Sequence, residues 1–241
     1  KIANKKPLVI HTFVPLCDNE HQGIVPVSKS LWDGTNLRTN LYWGALYGVK
    51  THFKKQKDWQ PAFSQKNINN NVLERVIFHK KYSTDAKVYL VADAYRGDQM
   101  KACLTDYFDA LSNQSKNYFE LKETAIGIEG NADLIVFNGH NGLMDIAIDF
   151  PNNTHTQTKD AISIACISFD YFEKYFKQVN AYPLLNTTNL LAPEAYVLEG
   201  VFDAWALLKD GEAIHHAAGK AYHQYQKCGI RGAKKLFKSG W

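Results

Sequence analysis

The segment 133–137 reads Asp-Leu-Ile-Val-Phe, apolar after its first residue and without alternation. A strand with one wet face alternates apolar and polar side chains. An uninterrupted apolar strand needs cover on both faces, the situation of a parallel strand lying under helices. The segments 7–14, 87–92 and 161–165 are similar and rich in β-branched residues. A shorter strand is predicted over 75–78. Helical stripes lie between and after these strands. Leu37, Leu41, Ala45, Val49 and Phe53 recur every four residues and predict an amphipathic helix. Gly44 and Gly48 within it would permit close packing on a sheet. Met100, Cys103, Leu104, Tyr107, Phe108 and Leu111 predict a second helix, with Asp98 as its N-cap. A third is expected over about 169–179. A fourth runs through Leu207 with Pro193 in its first turn, and a last one carries Ile214, Ala218, Tyr222 and Tyr225. Strands alternating with helices predict a three-layer, doubly wound α/β fold, with a mostly parallel sheet and helices on both faces.

At 241 residues, 45% of them apolar, the chain has enough material for one large core, and a single domain over 1–241 is expected. The net charge of +4 is local. Residues 209–241 hold seven Lys/Arg and two acids, a net of +5, which leaves −1 for the rest. A basic C-terminal tail from about 228 is therefore expected, read as a solvated helix end. Aromatics are not interleaved with its charges, so no nucleic-acid partner is expected. The longest apolar runs are four or five residues, too short for a membrane span. Cysteines stand at 17, 103, 166 and 228, without a C-x-x-C pair or zinc-type spacing. Neither G-x-G-x-x-G after the first strand nor G-x-x-x-x-G-K-[ST] occurs. No metal and no cofactor is expected. The first residue is Lys1 rather than Met, which fits a removed export signal and a periplasmic or extracellular location; a trimmed sequence and a cytoplasmic location are the alternative.

In doubly wound sheets ligands bind beyond the carboxyl ends of the strands. Two reactive side chains are predicted there. His140 follows the strand at 133–137, and Cys166 follows the strand at 161–165. A thiol and an imidazole within reach make a nucleophile and its proton-transfer partner. A helix starting just after Cys166 would favour the thiolate through its dipole. Gly139 and Gly142 flank His140 and would let a substrate backbone approach. Elsewhere, Trp43, Tyr47, Phe53 and Cys103 read as packing residues. Cys17 lies in a polar segment and reads as a second exposed thiol. Thr187, Thr188 and Tyr196 are candidates to line the cleft.

The wording of the two strand ends, Leu134-Ile-Val-Phe-Asn-Gly-His140 and Ile162-Ser-Ile-Ala-Cys166, resembles the caspase-like cysteine peptidases, the group of caspases, legumains, gingipains and clostripain. Ala165-Cys166-Ile167-Ser168 is similar to the legumain-type Ala-Cys-x-Ser segment. The order strand, helix, strand, helix, strand with His, strand with Cys, helix is similar to that family over roughly 7–180, and a bacterial member is expected. The resemblance implies a caspase-like fold and a thiol endopeptidase. Cys166 would attack a peptide carbonyl, His140 would act as general acid and base, and an acyl-enzyme would form. It implies a peptide or protein substrate. The family's Gly follows the His directly, whereas here Asn141 intervenes. Beside the Cys166 N–H, the second oxyanion donor is then expected from Gly142 or Asn141. The resemblance also places the specificity pocket in the loop after the first strand. Asp18, Asn19 and Glu20, with Ser168, are therefore expected to contact substrate, the acids receiving a Lys or Arg side chain. A metal site from Asp18, Glu20 and His21 is disfavoured, because adjacent residues seldom point at one ion. The 26-residue step from His140 to Cys166 holds no helical stripe, and a small hairpin over 146–153 is expected. Two other functions fit the sequence: a non-catalytic binding or regulatory domain of the same fold, and a doubly wound small-molecule hydrolase.

Overall fold

A computed structural model describes residues 6–83, 86–149, 153 and 156–241. An eight-stranded sheet runs through the molecule in the order β10-β9-β8-β7-β1-β4-β3-β2. Its centre is parallel: β1 (Leu8–Pro15) pairs with β4 (Lys87–Tyr95) on one side and β7 (Leu134–Asn138) on the other. Outward from β7 follow β8 (Lys159–Ile164) and β9 (Ala181–Thr187), also parallel. Outside β4, β3 (Val72–Lys81) and β2 (Gln60–Lys66) form an antiparallel hairpin. The two-residue strand β10 (Phe237–Lys238) pairs antiparallel with β9 at the other edge. The fold is three-layer α/β with a mostly parallel sheet.

Successive strand residues point to opposite faces, so each central strand feeds two cores. Ile10, Leu90, Leu134, Val136 and Ile162 face α1 (Val49–Lys55), α4 (Ala195–Ala206) and α5 (Gly211–Gln226). Val9, Phe13, Val91, Ile135 and Phe137 face α2 (Met100–Leu111) and α3 (Ser168–Gln178). All ten of these strand residues are at most 1% exposed, which is why their runs carry no polar alternation. A separate hairpin of β5 (Lys116–Leu121) and β6 (Thr124–Glu129) packs Ile126 and Ile128 into the second core.

Several expectations are corrected. The helix expected over 37–53 is helical only from Val49; 38–48 is a chain of turns. The Asn40 side chain accepts from Cys17 N–H and Tyr42 N–H and donates to the carbonyls of Cys17 and Asp33. It satisfies backbone groups that a helix would pair internally. A Cβ on Gly44 would sit 2.4 Å from the Leu37 carbonyl oxygen, so this glycine serves a tight turn and not sheet packing. Asp98 does not cap α2; it lies in a 3₁₀ turn (Gly97–Gln99) and pairs with Arg96. Pro193 precedes α4 by two residues, and Glu194 is the N-cap. Residues 228–241 do not form a free tail: α6 (Ile230–Lys235) packs Ala233 inward and β10 buries Phe237. Cys17 is fully buried and not an exposed thiol, and Cys103 is buried as expected. Residues 146–149 form no strand, and 150–152, also part of the expected hairpin, lie outside the described residues.

Candidate active site

Strand order reverses at β1: the chain goes from β1 to β4 on one side, then returns to β7 on the other. The carboxyl ends of β1, β7 and β8 meet beside this reversal, where such sheets open a crevice. His140 lies two residues beyond β7 and Cys166 two beyond β8. Both line one cleft of about 410 Å³, together with Gly139, Tyr42, Met144, a stretch from the loop after β1 (Gly23, Ile24, Val25, Val27), Leu41 and 190–193.

His140 is only 5% exposed, and its Nε2 lies 2.5 Å from Asp145 Oδ2. A 3₁₀ turn (Gly142–Met144) folds the chain back to bring Asp145 to the ring. The same carboxylate accepts from the Gly23 N–H at 3.2 Å, tying the loop after β1 to the His140 turn. Among the described residues, His140 Nδ1 has no hydrogen-bond partner. Asp145 was not singled out by the sequence; the available signal was a carboxylate five residues beyond the His, across a Gly-containing turn.

Cys166 is half-buried, and its thiol donates to the Leu191 carbonyl at 3.6 Å. It stands between β8 and α3. The next residue, Ile167, has φ 51° and ψ 33°, a left-handed conformation that a β-branched side chain adopts only under strain. Strain of about 1–3 kcal/mol persists only where the surroundings hold it. Here the Ile167 N–H donates to Asn189 O at 3.1 Å. The Ser168 N–H donates to Ala165 O at 3.2 Å and to Thr187 Oγ1 at 3.3 Å. The Ser168 hydroxyl donates to Ser163 O at 2.7 Å and contacts the Thr187 hydroxyl, which in turn donates to Ala165 O. Ser168 and Thr187 are thus buried braces of the Cys166 turn and not cleft residues. Neither Thr188 nor Tyr196 lines the cleft.

The turn after His140 is occupied differently from expectation. Gly142 N–H is bound to His140 O at 3.0 Å, so it is not a free donor to an oxyanion. Asn141 is fully buried; its Nδ2 donates to Cys166 O at 2.7 Å and its Oδ1 accepts from Leu143 N–H. Asn141 therefore holds the His140 and Cys166 turns together. Gly139 lines the cleft and donates its N–H to Ile164 O at 3.1 Å. Among the described residues, the backbone N–H groups of Cys166 and Asn141 have no partner.

The loop after β1 reaches the cleft with apolar residues and not with its acids. Asp18 is 6% exposed; it accepts from the Glu20 N–H at 2.9 Å and holds His21 Nδ1 at 2.9 Å, packed beside Gly34 and Gly97. The side chain of Asn19 donates to Val27 O, and Glu20 is exposed. None of the three lines the cleft. Behind it, burial pushes the Cys17 thiol up to about 12, although the Tyr42 hydroxyl beside it acts in the opposite sense. Tyr42, buried against that thiol, is held well above the usual phenol range. Among the described residues, no group of three or more His, Cys, Asp or Glu is arranged to hold a metal ion. In comparisons with protein-family models, curated proteins and solved structures, none matched this chain.

Proposed function

We propose that this chain is a cysteine peptidase of caspase-like type, working through Cys166, His140 and Asp145. The observation that carries the reading is the shared cleft at the ends of two adjacent parallel strands, with a carboxylate on the far side of the imidazole. Asp145 accepts from Nε2–H, which leaves the Nδ1 lone pair for the thiol proton. The Cys166 sulfur then bonds the substrate carbonyl carbon while Nδ1 takes the thiol proton. The Cys166 N–H is a free donor for the resulting oxyanion, and Asn141 N–H is the second candidate. Collapse breaks the C–N bond and Nδ1–H protonates the leaving amine; water then adds its oxygen to the acyl carbon while Nδ1 takes its proton, the C–S bond breaks to release the acid, and the proton returns to the Cys166 sulfur. Helix α3 begins two residues after Cys166, so its positive N-terminal end lies beside the reacting sulfur.

One observation favours a second reading, a non-catalytic domain of the same fold. The Cys166 thiol is turned to Leu191 O, and no hydrogen bond joins it to His140. The peptidase reading needs a rotation of that side chain when substrate enters. Alkylation separates the two. Native protein is treated with iodoacetamide and with a peptidyl ketone electrophile across pH, and the labelled thiol is mapped. Labelling at Cys166 that falls about 10²-fold or more in His140→Ala supports the dyad. Labelling confined to the exposed Cys228, or a Cys166 rate indifferent to His140, overturns it.

A further inference from the structure

The loop after β1 carries acids in sequence, yet the cleft it helps to form is apolar. Ile24, Val27, Leu41, Leu190, Leu191 and Pro193 contribute its walls, and among the described residues the titratable ones that line it are His140, Cys166 and Tyr42. Tyr42 is held neutral by burial and is engaged with Cys17. The neighbouring carboxylates are committed elsewhere. Asp18 holds His21, Asp145 holds His140, and Glu194 accepts from Tyr196 and Gln226. Among the described residues no Asp, Glu, Lys or Arg lines the cleft, so a charged substrate side chain entering here finds no free counter-charge in its walls, and burying an unpaired charge is strongly unfavourable.

The walls are also held in place. Asn138 Nδ2 donates to Pro193 O at 3.0 Å, and Asn189 O and Leu191 O accept from Ile167 N–H and Cys166 Sγ. The pocket is thus tied to the same two strand ends that present His140 and Cys166. At about 410 Å³ the cleft falls within the usual range for small-molecule sites. In an acyl transfer, the side chain next to the attacked carbonyl is the substrate side chain nearest the nucleophile. The Cys166 thiol lies 3.6 Å from the Leu191 carbonyl, so the wall formed by 190–193 adjoins the nucleophile.

We infer that the residue whose carbonyl Cys166 attacks is a large apolar one, Leu, Met or Phe, and not Lys, Arg or Asp. This rests on the peptidase reading. The test uses peptidyl acyloxymethyl ketones that differ only in the residue bearing the ketone: Leu, Phe, Asp or Arg. Rates of Cys166 alkylation are measured in the wild type and in Val27→Asp, which places a carboxylate in the wall. The Leu or Phe reagent is expected to react at least about tenfold faster than Asp or Arg, the discrimination an apolar pocket typically gives. In Val27→Asp the Arg-to-Leu rate ratio is expected to rise about tenfold. Fastest labelling of Cys166 by the Asp or Arg reagent, or equal rates for all four, overturns this inference and leaves the peptidase reading standing. If no peptidyl reagent labels Cys166 faster than iodoacetamide does, both fall.

Discussion

Replacing Arg75 by Met tests how the central sheet tolerates a buried carboxylate. Arg75 and Asp93 are register partners across β3 and β4. The guanidinium donates to both carboxylate oxygens, Nε to Oδ1 at 2.7 Å and Nη2 to Oδ2 at 2.6 Å. Asp93 is 1% exposed, and His11 Nε2 also reaches its Oδ2 at 3.0 Å. The Glu129 N–H donates to His11 Nδ1, so Nε2–H is the donor to Asp93. Burial pushes the Asp93 carboxyl up, but Arg75, with His11 in support, outweighs it and lowers it from 3.8 to about 2. That depression corresponds to about 2 kcal/mol of native stability, present above the unfolded value and lost as pH falls from about 5 towards 2. Methionine keeps much of the arginine stem but removes the charge and both donors. The carboxylate left behind should cost about 3–5 kcal/mol at pH 7. In the variant, burial prevails and the Asp93 carboxyl rises, so it takes up its proton at higher pH than in the wild type. The variant is therefore spared the acid loss, and the stability gap should narrow by about 2 kcal/mol or more between pH 7 and pH 3. Urea denaturation followed by tryptophan fluorescence at pH 7, 5 and 3, at fixed ionic strength, reads both quantities. A gap below about 1 kcal/mol at pH 7, or one that stays constant with pH, would refute the reasoning.

Two further substitutions probe the candidate site. Asp145→Asn keeps the size of the group beside His140 but removes its charge; Cys166 alkylation by a peptidyl ketone should slow by about 10²–10⁴-fold, with unfolding free energy changed by less than about 1 kcal/mol, and an unchanged rate would show that Asp145 does not orient the imidazole. Gly142→Ala would put a Cβ 2.3 Å from Met100 Cγ at the start of α2, so it should cost about 1–3 kcal/mol in denaturant unfolding; Met100→Ala should recover part of that cost in the double variant, and strictly additive effects would mean the two residues do not meet.

The strands at 7–14, 87–92, 133–137 and 161–165 were legible because each lies under helices on both sides, and burial alone dictates an apolar run. The other strands obey different rules. β2 is an edge strand, Gln-Pro-Ala-Phe-Ser-Gln-Lys, with a proline and mostly exposed side chains, so no burial pattern marks it. The β5–β6 turn places Lys122 at φ 54°, a position where glycine or asparagine is the usual signal. β9 follows α3 through Asn180 at φ 54° and carries Pro183, which reads as a break. The four-residue periodicity over 37–53 pointed to a helix because it records only which residues face inward. The turns built on Asn40 bury Tyr42 and Trp43 by another route. At the site, His140 and Cys166 were legible as residues immediately beyond two apolar strands. Asp145 was not, because its return to the ring depends on a three-residue Gly-Leu-Met turn, too short to carry a periodic pattern. Asp18, Asn19 and Glu20 were placed by their nearness to β1 in sequence, whereas the conformation of the loop turns Ile24 and Val27 towards the cleft instead.

The two margins of the sheet share a property with consequences for how copies of this chain meet in a crowded solution. A sheet margin with free N–H and C=O groups is a template on which a neighbouring chain can continue the ladder. β2 presents Pro61, a register shift between Pro61 and Phe63, and polar flanking residues. At the opposite margin β10 covers β9 with only two residues, and two lysines, Lys235 and Lys238, flank Phe237. The final segment, charged and short, thus acts as a stopper on the long apolar β9. Its loss would open the outer edge of β9 at Asn186 and Thr187, while β8 still pairs its inner edge, and self-association through that opened edge is the failure to expect from a C-terminally shortened chain.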